Sequence, residues 1–148
     1  MSVDYICSQL VTMIHAPIRM IDRNGTIKMS YGSIEDLEDP LICDSSFRME
    51  LLEKKQTCVP LIIQEGYQIL YGVVTDANGN AFVAGPVCTG KAGRDVSRNL
   101  AEKHKINKEE AYRIGEVDRE TFGAGILILN SLINHQEVTR YELWQRNG

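Results

Sequence analysis

Apolar residues at Val3, Ile6, Cys7, Leu10, Val11, Met13 and Ile14 recur every three or four positions, which predicts an amphipathic helix over 3–15. Ala16-Pro17 should end it, because a residue before proline is driven out of the α region. Two short apolar runs, Ile18 to Asp22 and Thr26 to Met29, then flank Arg23-Asn24-Gly25, a strong hairpin signal. Asn and Gly are the residues that tolerate the positive φ angles of a tight hairpin turn.

Residues 31–57 carry no strand pattern. Ser33 with Glu35 and Glu38 predicts one short helix stopped before Pro40. Asp44-Ser45-Ser46 predicts the cap of a second, with Phe47, Met49, Leu51 and Leu52 among its apolar positions. Strand character returns in Cys58 to Ile63, Tyr67 to Thr75 and Ala81 to Val87, joined through Glu65-Gly66 and Asp76 to Asn80. Connections this short make neighbours antiparallel. Beyond Gly90 the spacing is helical again: Arg94 to His104, Lys108 to Ile114, and a segment capped by Asp118 with Glu120 in its first turn. That last helix carries Phe122, Ile126, Leu127, Leu129, Leu132 and Ile133, a face wide enough to meet the sheet, the first helix or a second copy of the chain. Glu137 to Trp144 reads as its helical continuation.

The order of elements predicts an α+β domain: N-terminal helix, two-stranded hairpin, short crossing helices, three-stranded meander and C-terminal helices. Two strands divided from three by a helical crossing describe a PAS-like five-stranded antiparallel sheet, with a GAF-like sheet as the alternative. No internal repeat or linker divides the chain, so 1–148 reads as a single domain.

Composition narrows the partners. Sixteen Lys and Arg against twenty Asp and Glu leave a net charge of −4, which disfavours a whole-surface binder of nucleic acid or anionic membrane. No uninterrupted apolar run approaches the roughly 20 residues of a membrane span. The four cysteines form no CxxC pair and none stands at zinc-ligand spacing from His15, His104 or His135. With no secretory pattern at the N-terminus, reduced thiols in a cytoplasm are expected, each a small apolar core residue.

Little in the chain demands a reaction, and no cofactor or metal is expected. Gly85-Pro86-Val87-Cys88-Thr89-Gly90-Lys91-Ala92 nearly spells a phosphate loop, but Ala92 stands where a Ser or Thr must hold magnesium, and Pro86 removes an amide. A strand ending in a Gly-Pro turn is the plainer reading. Residues 94–114 resemble a helix-turn-helix only loosely, since the turn lacks glycine and Glu109-Glu110 would face phosphates. Asp22, Asp44 and Asp76 fall in turns, where their side chains are favoured for local hydrogen bonds.

Residues 67–88, YQILYGVVTDANGNAFVAGPVC, followed by KHKINKEEAYRI and then FGAGILILNSLINHQEVTRYELWQRN, resemble the N-terminal sensory domain of AraC-type bacterial transcription regulators. The resemblance implies a PAS-like, cytoplasmic, non-enzymatic ligand-sensing and dimerising module. Operator binding would then belong to a C-terminal pair of helix-turn-helix units lacking here, which makes the chain a fragment or a free-standing relative. A homodimer through the first helix and the 119–135 helix, and an unidentified small-molecule effector, are the expected partners. Arg19, Arg48, Tyr71 and Cys88 are the candidate ligand contacts: two arginines set among apolar residues, suited to an anionic group, a hydroxyl on a central strand, and a thiol at the end of the last strand. A free-standing interaction module and a nucleotide-binding enzyme built on the Gly85–Lys91 loop are the competing readings.

Overall fold

The computed structural model describes residues 2–32, 42, 44–55, 59–65, 69–89 and 115–146. The chain runs α1 (Val3–Ile14), β1 (Ile18–Ile21), β2 (Ile27–Tyr31), α2 (Ser45–Lys54), β3 (Leu61–Glu65), β4 (Ile69–Thr75), β5 (Ala81–Cys88), β6 (Gly115–Glu116), α3 (Arg119–Asn134) and β7 (Glu142–Arg146). The architecture is α+β, with three helices and an open, mixed sheet of seven strands among the described residues. Strand order is β2-β1-β5-β4-β3-β7, with β6 beside β5.

The five anticipated strands are all present and mutually antiparallel. Two more were not anticipated, and both pair in parallel: β6 with the end of β5, and β7 with β3. The wholly antiparallel, five-stranded sheet is therefore corrected to a mixed, seven-stranded one. Helical continuation over Glu137 to Trp144 is corrected as well. His135 ends α3 in the left-handed conformation at φ 52°, and the chain then reaches back to pair Leu61–Glu65 with Glu142–Arg146. An unpaired edge of β3 is a stronger determinant there than local spacing, because every amide on that edge gains a partner.

Local signals explain most of the rest. Ser2, Asp44 and Asp118 cap α1, α2 and α3, each side chain accepting an amide hydrogen bond from the first turn. Helix α1 stops at Ile14 with His15 left-handed at φ 53°, one residue before the Ala16-Pro17 stop. The β1–β2 and β4–β5 loops use one solution twice. The carboxylate of Asp22 accepts from the amides of Asn24 and Thr26, and that of Asp76 from Asn78 and Asn80, at 2.9–3.0 Å. Only the glycines, Gly25 at φ 82° and Gly79 at φ 83°, are left-handed in these loops. The turn is thus built on an aspartate cap with one positive φ, not on a positive φ at Asn24 as well. The Thr26 amide, then that of Asn24 and the Lys28 ammonium nearby, hold the Asp22 carboxyl below its ordinary range.

The sheet buries both faces. One packs beneath α1 and α3 through Ile6, Leu10, Ile14, Ile18, Leu70, Phe82, Phe122, Ile126 and Leu129. Helix α3 sits so close to β4 that a Cβ at Gly72 would overlap Ile126. The other face packs against α2 through Ile21, Phe47, Leu51, Leu61, Ile63, Ile69, Tyr71, Val73 and Val83. Among the described residues no helix is long and apolar enough to cross a membrane. The expected helices over 33–40, 94–104 and 108–114, together with Cys43 and Cys58, lie outside the described residues.

Candidate functional site

Period-two alternation decides where each candidate points. In β1, Ile18 belongs to the α1/α3 core and Ile21 to the α2 core, so Arg19 projects to the α2 side, opposite Val83 of β5. Tyr71 of β4 and Cys88 of β5 lie on that same face. Three of the four expected contacts, from three strands, thus share one face of the sheet.

Arg19 is 1% exposed, which makes it the largest side chain the core encloses completely. A guanidinium taken out of water costs several kcal/mol unless hydrogen bonds restore what is lost. One of its bonds is to backbone: Nη1 donates to the Gly85 carbonyl at 3.4 Å. Gly85 is central here. Its φ of 124° belongs to glycine, its amide donates to Pro17 O at 2.9 Å, and an added Cβ would lie 2.8 Å from Leu70 O and 3.1 Å from the Tyr71 ring. The ladder between β4 and β5 shifts register between Leu70 and Gly72, opposite this glycine, and the Gly85-Pro86 peptide is cis. This irregularity keeps Gly85 against both the Arg19 guanidinium and the Tyr71 ring. The expected Gly-Pro turn is therefore a bulge inside β5, which continues to Cys88, and the first four residues of the supposed phosphate loop are strand. Lys91 and Ala92 lie outside the described residues.

From the opposite side, α2 lowers Phe47 onto Tyr71, ring centroids 5.4 Å apart and edge-on at 61°. Arg48, the next residue, is turned elsewhere. Its Nε donates to Gly25 O and its Nη1 to Ile42 O, both at 2.6 Å, so it ties α2 to the β1–β2 loop. Cys88 is buried and unbridged, and its carbonyl accepts from the Val117 amide at 3.1 Å where β6 begins to run beside β5.

Two functional-looking groups escaped the sequence reading. Glu65, 6% exposed at the end of β3, is ion-paired at 2.8 Å with Arg146 of β7, which also approaches Glu50 of α2 at 3.3 Å. The Arg146 guanidinium lies 5.0 Å from the centre of the Phe47 ring. Burial opposes its charge, but the bond to Glu65 and the field of both carboxylates outweigh this and raise its pKa above the ordinary arginine value. Beside it, Lys54 of α2 stands 5.1 Å over the Trp144 ring. No sequence signal marked these groups, since Glu65 and Arg146 are 81 positions apart.

The α1/α3 side is chemically quiet by contrast. Burial first, and the Asp4 carboxylate second, push the Cys7 thiol up to about 12. Burial first, and the hydrogen bond its hydroxyl donates to Asp4 at 2.6 Å second, raise the pKa of Tyr31. Nδ2 of Asn130 is buried with no hydrogen-bond partner, while its Oδ1 accepts from Asn134. Among the described residues no cluster of His, Cys, Asp and Glu could hold a metal ion. Compared with known proteins, the chain matches no family model, no curated protein and no solved structure.

Proposed function

We propose that this chain is a PAS-like ligand-sensing and dimerisation domain of an AraC-type transcription regulator. The observation that carries the reading is the enclosed guanidinium of Arg19 on the α2 face, set beside Gly85 and Tyr71. A core built for stability alone fills such a place with an apolar side chain, because a buried charge is weak support for a fold. A guanidinium there suits a small molecule with a carboxylate or similar anionic group, held by charge-assisted hydrogen bonds. The order of hairpin, helix and meander, with β1 seated against β5, supports the PAS-like reading. In this assignment Arg19, Tyr71 and Cys88 line the ligand face, and Arg48 fixes the helix that covers it. Catalysis has no part in it.

Dimerisation is assigned to α1 and α3, which leave Val3, Tyr5, Met13, Ile128 and Leu132 exposed on their outer sides. Ligand then acts by preferring one arrangement of these helices, and shifts it only by its differential affinity for the two. Native mass spectrometry of the purified protein across a concentration series tests both halves. The expected spectrum is a dimer that retains a small molecule; a bare monomer at every concentration would overturn the reading.

A further inference from the structure

We infer that β7 is a detachable strap, held through Arg146 and Phe47, whose docking on β3 reports the state of the ligand face. The regulatory meaning rests on the sensory reading above, but the coupling itself is a property of the chain and is measurable without a ligand. The contacts form one line. Arg19 meets Gly85, Gly85 packs on Tyr71, Tyr71 meets Phe47, and Phe47 lies under the Arg146 guanidinium. Arg146 in turn closes on Glu65 of β3 and Glu50 of α2. Trp144, on the same side of β7, packs against the α2 core and beneath Lys54.

Trp144 and Arg146 thus tie β7 to the α2 side, while Tyr141, just before the strand, packs on α3 beside Gly123. Within β7 itself, Leu143 on the other side is half exposed. A five-residue edge strand paired with one neighbour opens at lower cost than the strands inside the sheet. Any change at Tyr71 that shifts the Phe47 ring displaces the surface on which Arg146 rests. Release of β7 forfeits the 2.8 Å ion pair between Arg146 and Glu65, so the docked and released states differ by a defined contact.

Trp144 is the only tryptophan, so intrinsic fluorescence reads β7 directly, alongside hydrogen exchange of the full chain. Tyr71→Leu alters the ligand face without removing a group that touches Arg146. It should raise exchange of the 142–146 amides by roughly fivefold and move Trp144 emission to the red, with α1 and β1–β2 protection unchanged. Phe47→Leu should do the same, and the two together should do no more than Phe47→Leu alone. Unchanged β7 exchange in Tyr71→Leu, or additive effects in the double variant, overturns the proposal. If Tyr71→Leu does not fold, Arg146→Ala carries the test in reverse. Coupling is reciprocal, so exchange of the α2 amides must rise with that of β7. A change confined to β7 overturns it. An uncoupled β7 leaves the sensory reading standing, whereas a bare monomer in the native spectrum leaves the coupling standing.

Discussion

The two faces of the sheet are equally buried and differently built. Under α1 and α3 the contacts are aliphatic and aromatic, α3 approaches β4 over a bare glycine, and polar groups sit at the margins, as in the Tyr31–Asp4 hydrogen bond. Under α2 a guanidinium occupies the face itself, the ladder beside it is bulged at Gly85, and a buried carboxylate at the edge depends on Arg146. The first face is packed for stability, with the side-chain amide nitrogen of Asn130 in α3 as its one buried side-chain polar atom without a partner among the described residues. The second retains charge and backbone irregularity where apolar packing would serve the fold better, which is where function is sought.

The difference breaks most visibly on the first face. Phe122 is wholly enclosed between α3 and the sheet, and Phe122→Ala should cost about 3–5 kcal/mol in urea unfolding through lost burial and the cavity left behind. A smaller loss would mean that the α1/α3 layer is loosely packed. Next in size is Arg146→Ala, which strands Glu65; with Arg146 only partly buried, a loss of about 2 kcal/mol is expected. Glu65→Gln in the same background should recover much of it, since the amide carries no charge to be stranded.

How much of this contrast is legible in the chain follows from how local each signal is. Helices α1 and α3 declare themselves by spacing, and Asp44 and Asp118 by capping chemistry that acts within one turn. Arg19 was legible as a charge within an apolar strand, and period two places it on one face once Ile18 and Ile21 are assigned. β7 was not legible. Glu142–Arg146 is a strand only because Leu61–Glu65 offers an edge 81 positions earlier, and no short-range pattern encodes that meeting. Gly85-Pro86 misled for a related reason: the pair signals a turn by itself, yet flanking strands on both sides keep it extended as a bulge.

Smaller effects sharpen the contrast. Arg19→Met keeps the volume and removes the charge, and its unfolding free energy should stay within about 1 kcal/mol of the parent or exceed it. A loss above about 3 kcal/mol would assign the guanidinium to holding the fold. Alkylation at pH 8 followed by peptide mapping should leave Cys7 unmodified in the native protein, because a thiol raised to about 12 is almost wholly protonated there. The smallest effect is a pH dependence at the cap of α3. The hydroxyl and amide of Thr121 hold the Asp118 carboxyl below its ordinary value. A carboxyl depressed in the folded state stabilises above its unfolded pKa, near 4, and loses that contribution as pH falls through the folded value. Asp118→Asn preserves a capping oxygen and should flatten the stability curve below about pH 4.

The central claim is that the α2 face, through Arg19, takes the ligand. Native mass spectrometry of Arg19→Met beside the parent protein, with unfolding curves showing both equally folded, tests it most directly. The account predicts a small molecule retained by the parent and lost from the variant, with the dimer kept in both. The same molecule retained by a folded Arg19→Met protein, or none carried by either, would contradict it.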